Sequence, residues 1–264
     1  MSNAPFSQKL NSMPLVLLLF ALTLHSPSIL NDRSIDQVFS KYELTGTIVV
    51  SSIESNQSLI HNKTRAATPY SPASTFKIFN SLIALEENLA NNKDELFVWD
   101  GTPRSIESWN QDHTLKSAFM ASCVWCYQSL AEKIGQDRYR KHLTNAGFGS
   151  LSEVFNVTEF WLDGSLRISA AGQVGFLKRL ISRNLSYSAT SYEELQNVML
   201  REETSSYQLR AKTGWTGSIG WFVGYVETSD DTWIFALNAD VVDIERMALL
   251  PEITKEILLA KGII

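Results

Sequence analysis

The chain predicts an α+β fold: one antiparallel sheet built from both chain ends, flanked by helices, with a helical lobe inserted between its strands. Three observations carry this. β-Branched runs occur near the start, at 45–53 and 58–62, and return after residue 206. The stretch from about 71 to 200 instead reads as helix-length apolar segments with polar loops. The late strands are joined by connections short enough to require antiparallel neighbours. A length of 264 residues is enough for one domain with a full core.

Taken in order, residues 33–41 suggest a short helix, followed by the strand TGTIVVSSI and a second strand across a polar turn. Ser71-Pro72 reads as an N-cap with proline at the first helical position, opening a helix over 72–90. Further helices are expected over 114–133, 137–146, 170–184 and 190–200. Strands follow at Tyr207–Thr213, Trp221–Glu227 and Thr232–Ala239, separated by Gly217, Gly220 and the Thr228-Ser229-Asp230-Asp231 turn. A last helix spans roughly 245–261, with Pro251 in its first turn or at a kink. A cleft between sheet and lobe is the natural place for a site.

Before all this stand Lys9 and the apolar run LVLLLFALTL, too short for a membrane span of about 20 residues. It reads as an export signal over 1–26, cleaved near 26–28, leaving a single domain over 27–264. The alternative is a buried N-terminal helix. The expected mature chain is exported to the periplasm or secreted, without stable membrane association. With 23 Lys and Arg against 28 Asp and Glu, the chain lacks the basic surface a nucleic-acid binder depends on. His61, His113 and His142 are scattered without ligand spacing, so no metal is expected. Cys123 and Cys126, in an apolar helical run, read as buried structural residues rather than a redox pair.

The helix PASTFKIFNSLIALEE is apolar nearly all round, so a lysine in its middle requires an explanation. Lys77 lies one turn beyond Ser74, on the same face. It is either a snorkelling or paired lysine, or a base: burial disfavours an ammonium, and a neutral amine beside a hydroxyl can take its proton. Downstream, Ser122-Cys123-Val124 places a second hydroxyl at a helix edge, and Lys212-Thr213-Gly214-Trp215 lies on a strand. The Trp215 and Ser74 amides can pair as an oxyanion hole.

These motifs, Ser-x-x-Lys and Lys-Thr-Gly, are those of serine-acylated β-lactamases and penicillin-binding proteins. More narrowly, the chain resembles the class D (oxacillinase-type) serine β-lactamases. The resemblance covers about 33–264 and rests on Ser74-Thr75-Phe76-Lys77, the run Trp109 to Leu115, Ser122-Cys123-Val124-Trp125, Phe148-Gly149, Trp161-Leu162-Asp163-Gly164, Lys212-Thr213-Gly214-Trp215 and Gly220 to Gly224. It implies a β-lactamase/transpeptidase-like fold and hydrolysis of penicillin-type antibiotics, giving resistance. Ser74 is then the nucleophile and Lys77 the base, as an N-carboxylated lysine formed with carbon dioxide or bicarbonate. Trp161 and Val124 support that carbamate. Ser122 relays a proton to the leaving nitrogen, and Lys212 and Thr213 meet the substrate carboxylate. Trp109 is either a wall of the substrate pocket or a core aromatic. A small-molecule β-lactam is the one partner implied, with no further cofactor.

The family's aromatic-Gly-Asn element reads Phe148-Gly149-Ser150 here, and Leu250 stands where a carboxylate-binding arginine is expected. Arg246, one turn earlier, is either that ligand or a plain surface arginine. The loop from Gly214 to Trp221 is short for the family. Three other readings remain: a β-lactam sensor that acylates without deacylating, a small penicillin-binding protein, and an inactive exported binding module.

Overall fold

The computed structural model describes residues 1–2 and 33–264. Apart from its first two residues, the export signal expected over 1–26 lies outside them. In chain order the elements are α1 (Arg33–Lys41), β1 (Gly46–Ser52), β2 (Ser58–His61), α2 (Lys63–Ala67), a 3-10 turn (Ala73–Phe76) running into α3 (Lys77–Glu86), and β3 (Leu96–Phe97). A second 3-10 turn (Glu107–Trp109) precedes β4 (His113–Thr114), α4 (Leu115–Met120), α5 (Val124–Ile134), α6 (Gln136–Ala146), β5 (Ser150–Leu151) and β6 (Leu166–Arg167). Then come α7 (Ala170–Ile181), α8 (Ala189–Met199), β7 (Leu200–Glu203), β8 (Gln208–Trp215), β9 (Ile219–Glu227), β10 (Thr232–Asp240), a 3-10 turn (Ile244–Ala248) and α9 (Leu249–Ala260).

The main sheet has six antiparallel strands in the order β2-β1-β10-β9-β8-β7. Strands from the two halves of the chain therefore pair inside the sheet, with Gly46 opposite Ala239 and Ser52 opposite Trp233. Both sheet faces are buried, and the period of two in the strands separates two cores. Val49, Trp221, Val223, Tyr225, Ile234 and Ala236 face the helical lobe. Ile48, Val50, Phe222, Val226, Phe235 and Leu237 face α1 and α9. The lobe core is dominated by aromatic rings around Phe76, which meets Phe79, Tyr139, Phe148, Phe160 and Trp161.

Sheet, lobe and terminal helices agree with the sequence reading; six local features depart from it. Ser71 is no helix cap: its hydroxyl donates to the Trp161 carbonyl at 2.8 Å. Pro72 is followed by Ala73 at φ +46°, a left-handed residue that delays the regular helix to Lys77. The helix expected over 114–133 is broken because Ser122, at φ +55°, cannot continue α4. The edge strand β7, LREE, has no apolar alternation to announce it, and α2 is too short to show a period. Finally, Cys123 and Cys126 are fully buried, as expected, but joined in a disulfide.

Candidate active site

The turn at Pro72–Thr75 aims Ser74 at a cleft between sheet and lobe, and neighbouring elements pin it. The Trp221 indole donates to the Ser71 carbonyl at 3.0 Å. Thr75 Oγ1 donates to the Pro72 carbonyl at 2.7 Å and accepts from Gln173 Nε2 at 2.9 Å. On the sheet side, β8 runs so close that a Cβ on Gly214 would sit 2.9 Å from the Pro72 carbonyl and 3.0 Å from the Thr75 amide. The glycine thus lets the strand lie against the turn, where Trp215 and Ser74 both line the cleft.

Below the turn, Lys77 is fully buried at the start of α3, and its Nζ donates to Ser74 Oγ at 3.1 Å. The ammonium also lies over the Tyr127 ring, 5.0 Å from its centroid. Burial alone lowers the Lys77 pKa from its ordinary value to about 7, so a large share of the side chain is neutral near neutrality. That arrangement can draw a proton from Ser74.

Across the cleft, the left-handed Ser122 leaves the α4–α5 corner, and its Oγ accepts a hydrogen bond from Lys212 Nζ. Lys212, buried on β8, also donates to the Thr213 carbonyl at 3.0 Å and lies 3.5 Å from Thr213 Oγ1. Its pKa is pushed well below the usual value, first by burial and then by the charges of Lys77 and Arg201. Two buried amines with lowered proton affinity, each beside a serine hydroxyl, make a proton path across the cleft chemically possible.

Trp161 is fully buried and stacked on Phe76, at 5.8 Å between centroids. Its indole Nε1 is buried with no hydrogen-bond partner among the described residues. A buried indole N–H ordinarily finds an acceptor, so this one marks a place prepared for an anionic or carbonyl oxygen.

The cleft, about 270 Å³, brings together Ser74, Ser122, Val124, Thr213, Gly214 and Trp215. Trp109 is one of its walls, and its indole donates to the Ala121 carbonyl at 2.9 Å. Arg246 is not brought to the cleft: its Nη2 donates to the carbonyl oxygens of Tyr42, at 2.8 Å, and Glu43, at 3.2 Å. Leu250 is fully buried with the α1 and α9 residues. Phe148 belongs to the ring cluster around Phe76, and Ser150 pairs with Arg167. Sequence reasoning missed Tyr127 beneath Lys77 and the walls Ile106, Ile244 and Met247. Those walls sit on short turns without periodicity, so only the fold brings them together.

The α+β layering and the two serine–lysine pairs define the class: the penicillin-binding transpeptidase fold. The family model for the penicillin binding protein transpeptidase domain matches residues 46–258. The chain is 39% identical to the β-lactamase OXA-48 of Klebsiella pneumoniae, over 88% of this chain and 89% of that protein. It is 34% identical to the β-lactamase OXA-5 of Pseudomonas aeruginosa, over 95% and 96%. The solved class D β-lactamase FUS-1 (OXA-85) of Fusobacterium nucleatum superposes with a TM-score of 0.86 at 33% identity, covering 89% of this chain and all of that one. The class D β-lactamase YbXI from Nostoc superposes at 0.84 with 38% identity, over 87% and 99%. The chain belongs to the class D β-lactamases.

Proposed function

We propose that this chain hydrolyses the β-lactam amide of penicillin-type antibiotics through a serine acyl-enzyme, and so confers resistance. The observation that carries the reading is Lys77 Nζ, buried and 3.1 Å from Ser74 Oγ. Neutral Lys77 takes the hydroxyl proton as Ser74 Oγ bonds to the lactam carbonyl carbon; positioned bases of this kind contribute about 10² to 10⁴ in rate. The Ser74 and Trp215 amides receive the developing oxyanion, where each donor is worth about 2.7 to 4 kcal/mol. As the carbon–nitrogen bond breaks, Ser122, held by Lys212, passes its proton to the departing nitrogen and recovers one from Lys77 across the cleft, which returns Lys77 to the neutral amine. Lys212 and Thr213 hold the substrate carboxylate. Neutral Lys77 then takes a proton from the water that attacks the acyl carbon and hands it to Ser74 Oγ as the ester bond breaks, which releases the product and restores both groups.

Carbon dioxide adds only to a neutral amine, and when bound to Lys77 it supplies a carboxylate-like general base. The donor set fits it: the lowered proton affinity of Lys77, the unpartnered Trp161 Nε1 and the apolar Val124 would hold such a group. Trp161→Phe keeps the ring stack and deletes that donor. Its kcat is expected to fall at least tenfold, with partial recovery in added bicarbonate, read from initial rates at several bicarbonate concentrations. Equal rates in both proteins would remove Trp161 from this role.

Arg246 contributes nothing to substrate binding on this reading, because its guanidinium is engaged by the Tyr42 and Glu43 carbonyls. Arg246→Ala is expected to leave the penicillin KM within twofold and to lower stability by about 1 kcal/mol. A tenfold rise in KM would return it to the site.

Export follows from the N-terminal run LVLLLFALTL, and the Cys123–Cys126 disulfide accords with an oxidising compartment. Among the described residues no helix is long and apolar enough to cross a membrane.

The deciding experiment is a benzylpenicillin time course in bicarbonate buffer with substrate in large excess. Sustained turnover supports the hydrolase. A single-equivalent burst with a stable adduct would move the reading to a sensor or penicillin-binding protein.

A further inference from the structure

Ser122 sits at φ +55°, a backbone state costly for a residue other than glycine, and must be held there by its surroundings. On its N-terminal side the end of α4 holds it: the Ser122 amide donates to the Phe119 carbonyl at 3.2 Å and the Cys123 amide to the Ala118 carbonyl at 2.9 Å. On its C-terminal side the holding element is the disulfide. Cys123 caps α5, its Sγ accepting from the Cys126 amide at 3.2 Å, and the same sulfur is bonded to Cys126 one turn on. The bridge encloses Val124, a cleft wall, and Trp125, whose indole donates to the Trp109 carbonyl at 2.9 Å. Trp109 in turn donates to the Ala121 carbonyl. One short covalent ring thus adjoins the hydroxyl donor and fixes two walls of the same cleft.

A ring closed over so few residues removes little freedom from the unfolded chain, so its effect on global stability is small for a disulfide. Its effect is local. We propose that Cys123 and Cys126 are positioning residues: their disulfide holds Ser122 in line with Lys212 and the cleft, and proton delivery to the leaving nitrogen depends on it. Reduction by a dithiol, which takes two electrons and two protons from the reductant and leaves two cysteine thiols, slackens that corner. This inference rests on the acyl-enzyme reading above, and it singles out one step. Acylation needs Ser122, whereas attack of water on the acyl-enzyme runs through Lys77.

The test compares oxidised wild type, wild type reduced in dithiothreitol and then reoxidised with oxidised glutathione, and the double variant C123V/C126V. Thiols are counted in each state. Acylation and deacylation rates with benzylpenicillin are resolved by stopped flow and mass spectrometry, and melting curves are recorded alongside. The expected result is an acylation rate at least tenfold lower in the reduced protein and the variant. Deacylation stays within twofold, melting shifts by only a few degrees, and reoxidation restores acylation. Acylation within twofold of the oxidised protein would overturn the inference. So would acylation and deacylation falling together in step with lost folded protein. If oxidised wild type itself forms no acyl adduct, the catalytic reading fails first, and the two failures are told apart.

Discussion

Ser74→Ala is expected to lower kcat/KM for benzylpenicillin by at least about 10⁴-fold, leaving only what binding and the oxyanion amides supply without a nucleophile. The loss should be clean because the bonds that shape the turn do not use the Ser74 hydroxyl. Thr75 holds Pro72, Gln173 holds Thr75, and Trp221 holds Ser71, whichever residue stands at 74. Alanine is a good helix former and Ser74 is only half-buried, so melting should move by no more than a few degrees. Loss of the covalent adduct in the mass spectrum checks the same point without kinetics. Activity within about a hundredfold of wild type would mean that another group attacks the lactam.

Lys77→Met is expected to do two opposite things: reduce turnover by roughly 10³-fold or more, and stabilise the fold. The lysine is wholly buried against Tyr127 and the Ser74 hydroxyl, and burial is the sole cause of its lowered pKa. Methionine offers similar length without the cost of desolvating an amine. The pH dependence has a definite sign. With a folded pKa of about 7, against about 10.4 for a lysine in the unfolded chain, the unfolded state binds more protons between those values. Stability therefore rises with pH across that window, and the Lys77 contribution is lost as pH falls toward 7. Lys212, lowered in the same direction, adds to the slope. Urea midpoints at pH 7 and pH 9.5 should differ less in the variant than in wild type, with the variant the more stable at pH 7. A variant less stable than wild type at pH 7 would show that the amine stabilises the fold through contacts that outweigh its burial. Catalytic rate in wild type is expected to climb with pH through about 7, as the neutral amine becomes available.

The parts of the site that could be read from the chain are those that depend on local spacing. Ser74 and Lys77 share a helical face at any register, and the alternation of Trp221, Val223 and Tyr225 against Phe222 and Val226 marks a strand buried on both sides. What could not be read depends on the partner a residue finds across the fold. Ser71 looks like a cap, but its hydroxyl goes to Trp161, ninety residues on. Arg246 stands one turn from the position expected of a carboxylate ligand, yet its Nη2 donates to carbonyl oxygens in the loop after α1. The break at Ser122 lies in a stretch whose composition favours helix on both sides. A three-residue corner, with Ser122 left-handed and Cys123 extended in ψ, separates α4 from α5.

The interior position of β1, between β2 and β10, bears on how the molecule comes into being. One neighbour, β2, follows after a short turn; the other, β10, consists of residues 232–240, close to the end of the chain. A chain still emerging from the ribosome can close the first hairpin, which is marginal on its own, but the inner edge of β1 stays open until residues 232–240 have been made. The sheet is therefore incomplete before that strand is made, and the entropy of closing so long a loop is met before the contacts that repay it form. Until then the nascent chain exposes an unpaired strand edge, a template for pairing with other chains.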